Sequence, residues 1–214
     1  MPRRSQINDS ALRKRMLAHA AGLFAAKGYA NTLTSELGRA SEFSEGRYFI
    51  YFGSKDGVLR SIFDDYWAQI HERVHTLEKT EPDPVQRIRR ITRAAIEVYR
   101  DNEDVFRVVA SHRYPSASGG LSPECAYMRE FHSVALRAIE QATRQRTTRI
   151  ARKTAEMIYH SLRGALEHLL NRYYEAKHEG RYSFTIADVQ QHMDVLVNAL
   201  LAGAGESRSD RHPE

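Results

Sequence analysis

Apolar residues recur along this 214-residue chain at intervals of three and four, the spacing that lines one side of a helix. The first run carries Leu12, Met16, Leu17, Ala20, Leu23 and Phe24. Asp9 or Ser10 can cap it, and Gly28 stands where the chain must leave it through a positive φ. Two short helical segments are expected over 34–40 and 44–50, joined by a tight turn. A longer run over 55–77 puts Val58, Leu59, Ile62, Phe63, Tyr66, Trp67, Ile70 and Val74 on one broad face. The EPDP at 81–84 breaks that run, and Pro84 suits the first turn of the next helix, which carries Val85, Ile88, Ile91, Ala95 and Val98. Helices over 101–110, 123–144 and 147–177 follow, with a Pro-, Gly- and Ser-rich loop at 114–123. Ser183 or Thr185 can cap a last helix through Leu201, and the tail 205–214 is expected to be disordered. With neither alternating strand patterns nor an internal repeat, the chain reads as all-α.

Composition adds a packed core: 42% of residues are hydrophobic and 28% charged. No apolar run approaches the roughly 20 residues that cross a bilayer, so no membrane association is expected. The basic N-terminus lacks the apolar stretch of a secretory signal. The single cysteine, Cys125, has neither a disulfide partner nor neighbours at metal-ligand spacing. These features favour the cytoplasm. The charge is uneven. Residues 1–60 hold ten Lys/Arg and five Asp/Glu, whereas the other 154 hold 22 of each. The whole net charge of +5 therefore lies in the first quarter, where a polyanion is the obvious partner. A solvated basic face without a partner is the alternative.

Three helices in some 45 residues, the last two joined tightly, fit a helix-turn-helix. Its third helix enters the roughly 12 Å major groove while the second crosses the backbone. Here that third helix starts at Ser44, and SEGRYFIYF presents Ser44, Glu45 and Arg47 beside Tyr48, Phe49 and Tyr51. Arginine can hold a guanine edge through two hydrogen bonds, and a tyrosine hydroxyl can donate to a phosphate. Core packing is the competing role for these aromatics, above all for Phe52 and Phe49.

The stretch AAGLFAAKGYANT, then S-x-G at 44–46, then YFGSKDGVL at 51–59 resembles the DNA-binding domain of the TetR family of bacterial repressors. The resemblance covers residues 11–59 and implies the domains 1–54, an arm and DNA-binding helix-turn-helix, and 55–204, a helical effector-binding and dimerisation domain. It implies double-stranded DNA, a palindromic operator, as partner. The candidate contacts are Thr34 and Ser35 on the second helix, Ser44, Glu45, Arg47, Tyr48 and Tyr51 on the third, and Lys55, which resembles the family's phosphate-contacting lysine. Arg3 and Arg4 could reach a minor groove as an arm, or make no contact. The sequence departs from the family in three places. Leu33 and Thr34 look transposed, which moves the second helix's cap to Thr32 or Thr34. Glu42 stands for the usual turn glycine, and Phe49 for the first recognition-helix tyrosine. Arg47 replaces a small residue and is the best candidate for reading a base.

The last two helices carry apolar stripes, Ile150 to Tyr173 and Ile186 to Leu201, with a small-residue patch at Ser161, Gly164 and Ala165. The resemblance implies that they pair with their copies in a homodimer, through Leu162, Ala165, Leu166, Leu169, Tyr173, Met193, Leu196 and Leu200. Monomer core is the alternative. The resemblance also implies a cavity for a small apolar or aromatic effector, with Trp67, Tyr99, Phe106, His112, Tyr114, Phe131, Tyr159 and His160 as candidate lining residues. For each of these singly, ordinary core is the alternative. The expected function is repression relieved by that effector. A DNA-binding protein without an effector is a second possibility.

One motif points to an enzyme or a metal sensor. His71-Glu72-Arg73-Val74-His75 matches H-E-x-x-H, in which two histidines one turn apart hold zinc and the glutamate acts as base. No third ligand follows at a known zincin spacing, and the chain lacks the expected sheet. No phosphate loop, nucleotide-binding glycine pattern or Ser/His/Asp constellation is evident. The expectation is a non-enzyme with no cofactor and no metal.

Overall fold

The computed structural model describes residues 3–39, 44–111, 126–144, 152–180 and 185–206, excepting the side chains of 3–9, 39, 144 and 203–206. The described residues form helices joined by turns, with no strand among them. The chain divides into two compact units: 1–67 with 102–125, and 68–101 with 126–214. The expected loop at 114–123, the turn at Glu42 and the tail beyond 206 lie outside the described residues.

In the first unit, α1 (Arg3–Lys27), α2 (Thr34–Arg39), α3 (Glu45–Phe52) and the start of α4 (Lys55–Val74) are joined by α7 (Glu103–Ser111). The three- and four-residue spacing of α1 becomes a buried stripe of Met16, Leu17, Ala20, Ala21 and Phe24. Neither Asp9 nor Ser10 caps α1, because the helix runs back through both to Arg3. α7 packs on α1, and the approach is close: a Cβ on Gly22 would sit 3.4 Å from the Asp104 carboxylate. Phe106, Val108 and Val109 of α7 are buried.

The second unit holds the end of α4, α5 (Leu77–Thr80), α6 (Pro84–Asp101), α8 (Ala126–Arg144), α9 (Arg152–His178) and α10 (Ile186–Glu206). Here α6 packs on α8 and α10, and α9 on the same two. Pro84 opens α6, where its missing N–H costs nothing. The Asp83 carboxylate accepts the Val85 N–H at 2.8 Å. Arg87 is buried at 5% exposure. It donates to the Glu81 carbonyl through Nε and Nη2 and to Gln141 Oε1 at 2.6 Å, so the buried cation is hydrogen-bonded on several sides. Thr185 caps α10, and the alternative cap Ser183 lies outside the described residues. The Thr185 N–H and hydroxyl both donate to Asp188, whose N–H returns to the Thr185 hydroxyl, a reciprocal capping box.

Candidate nucleic-acid interface

The head is built around the turn after α1. Gly28 has φ +82° and donates its N–H to the Phe24 carbonyl at 2.9 Å, a left-handed stop. Thr32 is buried and donates its hydroxyl to the Gly28 carbonyl. Lys55 folds back onto this turn: its ammonium donates to the carbonyls of Tyr29 and Thr32 at 2.9 and 2.8 Å and lies 4.4 Å from the Tyr29 ring centre. The Tyr29 hydroxyl donates to Asp56. Burial, and then that carboxylate, push the phenol well above its ordinary range.

α2 starts without a hydroxyl cap. The Leu33 N–H donates to the Glu36 carboxylate at 2.9 Å, and Glu36 in turn holds Lys27 at 2.5 Å. That is half of a capping box, with Leu33 in the place of the expected Thr32 or Thr34. The crossing of α2 and α3 depends on Gly38, because a Cβ there would lie 2.5 Å from the Glu45 nitrogen. On α3, Tyr48 points inward at 3% exposure and donates its hydroxyl to the Met16 carbonyl. Phe52 lies 6.0 Å from the Tyr48 ring, with the Arg13 guanidinium 5.6 Å above it. These contacts fix which side of α3 faces out.

The outer side carries Arg47, exposed, then Ile50 at 84% and Phe49 at 45%. Gly46 lies between them, with nothing within 4 Å of an added Cβ. Ser44 is exposed at the N-cap, its backbone extended and its side chain making no cap bond. Glu45, Tyr51, Thr34, Ser35 and Lys55 are half-buried. Tyr48, expected among the DNA contacts, is instead buried in the head, its hydroxyl on the Met16 carbonyl. Lys55 spends its donors within the head rather than standing free. Arg3 and Arg4 open α1 instead of forming an extended arm. Phe49, for which the sequence left core packing open, faces outward, and the outward Ile50 was missed by the sequence reading. Its signal was the run Phe49-Ile50-Tyr51-Phe52, since a helix this short cannot bury four consecutive apolar residues on one side.

Among the candidate effector residues, Trp67 and Phe106 are buried in the first unit, and Tyr99, Phe131 and Tyr159 in the second. His112 and Tyr114 lie outside the described residues. The Tyr174 hydroxyl donates to the Tyr99 carbonyl. His160 is exposed, and its ring neighbours Tyr159 and the half-buried His132. His132 was missed by the sequence reading, because an isolated histidine on α8 carries no spacing signal. Burial, then the charges of His160 and Arg163, depress the His132 pKa.

The candidate dimer residues separate. Leu162, Leu166 and Met193 are buried within their own chain, whereas Ala165, Leu169, Tyr173, Leu196 and Leu200 are half-buried. The large hydrophobic residues exposed on the described parts of α9 and α10 are Met157 and Val195. In the H-E-x-x-H segment the imidazoles of His71 and His75 stack, 5.2 Å apart and within 20° of parallel. Their in-plane lone pairs therefore run side by side rather than converging. His71 Nε2 lies 3.1 Å from the Glu130 carboxylate, and His75 Nδ1 lies 3.1 Å from the His71 carbonyl. Among the described residues no three His, Cys, Asp or Glu side chains form a metal-holding group.

A basic three-helix head with a glycine-tight α2–α3 crossing and an outward polar-apolar α3 defines a helix-turn-helix DNA-binding domain of an all-helical protein. Residues 16–62 match the model of the bacterial regulatory proteins, tetR family. An uncharacterized HTH-type transcriptional regulator, YuxN of Bacillus subtilis, is 34% identical over 70 residues, which span 33% of this chain and 24% of that protein. The fatty acid degradation regulator FadR from Bacillus halodurans superposes with a TM-score of 0.70 at 13% identity, over 94% of this chain and 97% of its own. AibR, solved in complex with isovaleryl coenzyme A and operator DNA, gives 0.66 at 17% identity, over 85% and 95%. The head of the chain is thus similar to the DNA-binding domains of tetR-family regulators, and the chain as a whole shares the fold of FadR and AibR. Among the described residues no helix is long and apolar enough to cross a membrane.

Proposed function

We propose that two copies of this chain bind a palindromic operator through α3 and release it when a small effector occupies the second unit. The observation that carries the reading is the outer face of α3, where Arg47 and its exposed neighbours stand clear of a head anchored by Tyr48. Residues 1–54 act as the DNA-binding part and residues 55–204 as the sensing and pairing part. One eight-residue helix makes too few contacts for tight specific binding. A two-fold dimer doubles them and reads half-sites about 34–36 Å apart.

The pairing surface is the outward strip of α9 and α10, with Met157, Ser161, Gly164, Val195 and Ala199. Ala165, Leu169, Tyr173, Leu196 and Leu200 lie at its margins, and the buried Leu162, Leu166 and Met193 support it from beneath. Lys55 serves DNA binding by fixing the turn from which α2 and α3 start. The effector is apolar or aromatic. The names of FadR and of the AibR complex make acyl chains and acyl-coenzyme A thioesters the first class to test. Such a ligand acts by binding the DNA-free state more tightly, since only differential affinity shifts a population. Repression follows from an operator that overlaps a promoter.

Selection of duplexes from a random pool at stated salt tests the DNA arm. Enrichment of a palindrome with half-sites one helical turn apart is expected, and no enrichment over bulk DNA overturns the proposal. Sedimentation equilibrium tests the dimer. Fluorescence of Trp67, the single tryptophan, during titration with acyl-coenzyme A and aromatic compounds tests the sensor. A ligand that changes emission and lowers operator affinity is expected. Unchanged emission and affinity across both classes favour an effector-independent regulator.

A further inference from the structure

We propose that Ile50 reads the 5-methyl group of a pyrimidine in the major groove, beside the base taken by Arg47. The inference rests on the proposed DNA binding of α3 and deepens it. Ile50 is 84% exposed, more than any other large hydrophobic residue described. It does not cover the head's core, which Tyr48 fills from the opposite side of the helix. Gly46, one turn earlier on the same side, offers no side chain and meets nothing within 4 Å. Ile50 is thus the protruding group at the middle of the face, with Arg47 on one flank and the half-exposed Phe49 on the other.

A base-pair edge in the major groove offers donors, acceptors and one apolar feature, the C5-methyl of thymine. An isoleucine gains nothing from carbonyl, amide or amino edges, and burying it against them leaves their hydrogen bonds unmade. The methyl group is the complement it fits. Along the helix axis Arg47 and Ile50 are separated by roughly 4.5 Å, against about 3.4 Å per base pair. The methyl-bearing pyrimidine therefore lies within one or two steps of the guanine held by Arg47. Two sources supply the same methyl, thymine and 5-methylcytosine, and they differ only in the pairing edge beside it.

The experiment uses the full chain and the duplex it selects. Each thymine of one half-site is replaced singly by uracil, which removes the methyl and leaves the pairing edge intact. Wild-type binding is expected to fall about fourfold at one position, the worth of one buried methylene-sized group. Ile50→Ala is expected to bind the thymine and uracil duplexes equally at that position while keeping the guanine preference set by Arg47. At the same position a 5-methylcytosine pair is expected to bind better than a cytosine pair in the wild type and no better in Ile50→Ala. Ile50 lies on the surface, so an unchanged circular dichroism spectrum is expected for the variant. Indifference of the wild type to every uracil substitution overturns the inference and leaves the regulator reading intact. Undiminished discrimination by Ile50→Ala also overturns it. Failure to select any duplex overturns both.

Discussion

Among the described residues, the outer side of α3 and the outward strips of α9 and α10 differ in their chemistry. The outer side of α3 is short and carries protruding groups: Arg47, Ile50 and Phe49 around the bare Gly46. The outward strips of α9 and α10 are long and mixed, with Met157, Ser161, Gly164 and His168 on one helix and His192, Val195 and Ala199 on the other. A protruding rod on a basic head suits a groove lined with phosphates. A long strip with small residues at its centre suits a second helix lying alongside, because small side chains let two backbones approach and bring long neighbours into contact. Exposure alone says that a surface is free. The size and sequence of its side chains say what shape can cover it.

The comparison breaks most sharply at the inner side of α3. Tyr48→Ala removes a buried ring and is expected to cost about 3–5 kcal/mol, read as a fall in unfolding free energy and loss of DNA binding. Tyr48→Phe, which removes only the bond to the Met16 carbonyl, is expected to cost about 1 kcal/mol. If Tyr48→Ala leaves stability unchanged, the side of α3 assigned to the core is wrong. At the other surface, Gly164→Arg sets a long cation at the centre of the α9 strip, where the single chain has open space. The helical spectrum is expected to persist while dimer dissociation rises roughly a hundredfold, about 2–3 kcal/mol, by sedimentation equilibrium. A Gly164→Arg protein as dimeric as the wild type moves the pairing surface elsewhere.

Smaller effects separate the two basic groups of the head. Arg47→Ala is expected to relax base preference at one position of each half-site by about 1–3 kcal/mol without changing stability. Lys55→Ala is expected to weaken all sequences alike and to lower head stability by about 1 kcal/mol, because two carbonyls lose a partly exposed charged donor. Equal loss of selectivity from both substitutions would erase the distinction between a reading residue and a positioning one.

The parts of the molecule legible in the sequence were those fixed by local chemistry. Helix periodicity located the apolar faces, Gly28 marked the end of α1, Pro84 opened α6 and Thr185 capped α10. Fixed spacing between motifs in the head carried the resemblance that the match over residues 16–62 supports. Side-chain direction in α3 was less legible. A helix with Tyr48, Phe49, Ile50, Tyr51 and Phe52 in succession offers aromatic or aliphatic groups all round, and only the packing of α1 decides that Tyr48 turns in while Ile50 turns out. The backbone carbonyls that hold Lys55 come from a turn some 25 residues earlier, a pairing that periodicity cannot express. The start of α1 was misread because a capping residue is a signal only where the helix actually ends, and Asp9 and Ser10 lie inside it.

The smallest expected effect compares the two units through two half-buried histidines. His19 on α1 is held below its ordinary pKa by burial alone. His132 on α8 is held below it by burial first, then by the positive neighbours His160, Arg163 and Arg152, with Glu156 opposing. A histidine whose folded pKa is depressed contributes stability in full above its unfolded value of about 6.5. As the pH falls toward the folded pKa, the unfolded chain takes up a proton that the folded chain refuses, and the contribution is lost. The wild type should therefore unfold at a lower temperature near pH 5.5 than near pH 7.5. His132→Gln and His19→Gln should each flatten that dependence, the first more than the second, because only His132 has positive neighbours to refuse the proton with it. The measurement is the unfolding midpoint of each variant at the two pH values. Equal flattening would mean that desolvation alone governs both sites and that His160 and Arg163 are screened by water. No flattening would place the acid sensitivity on other groups.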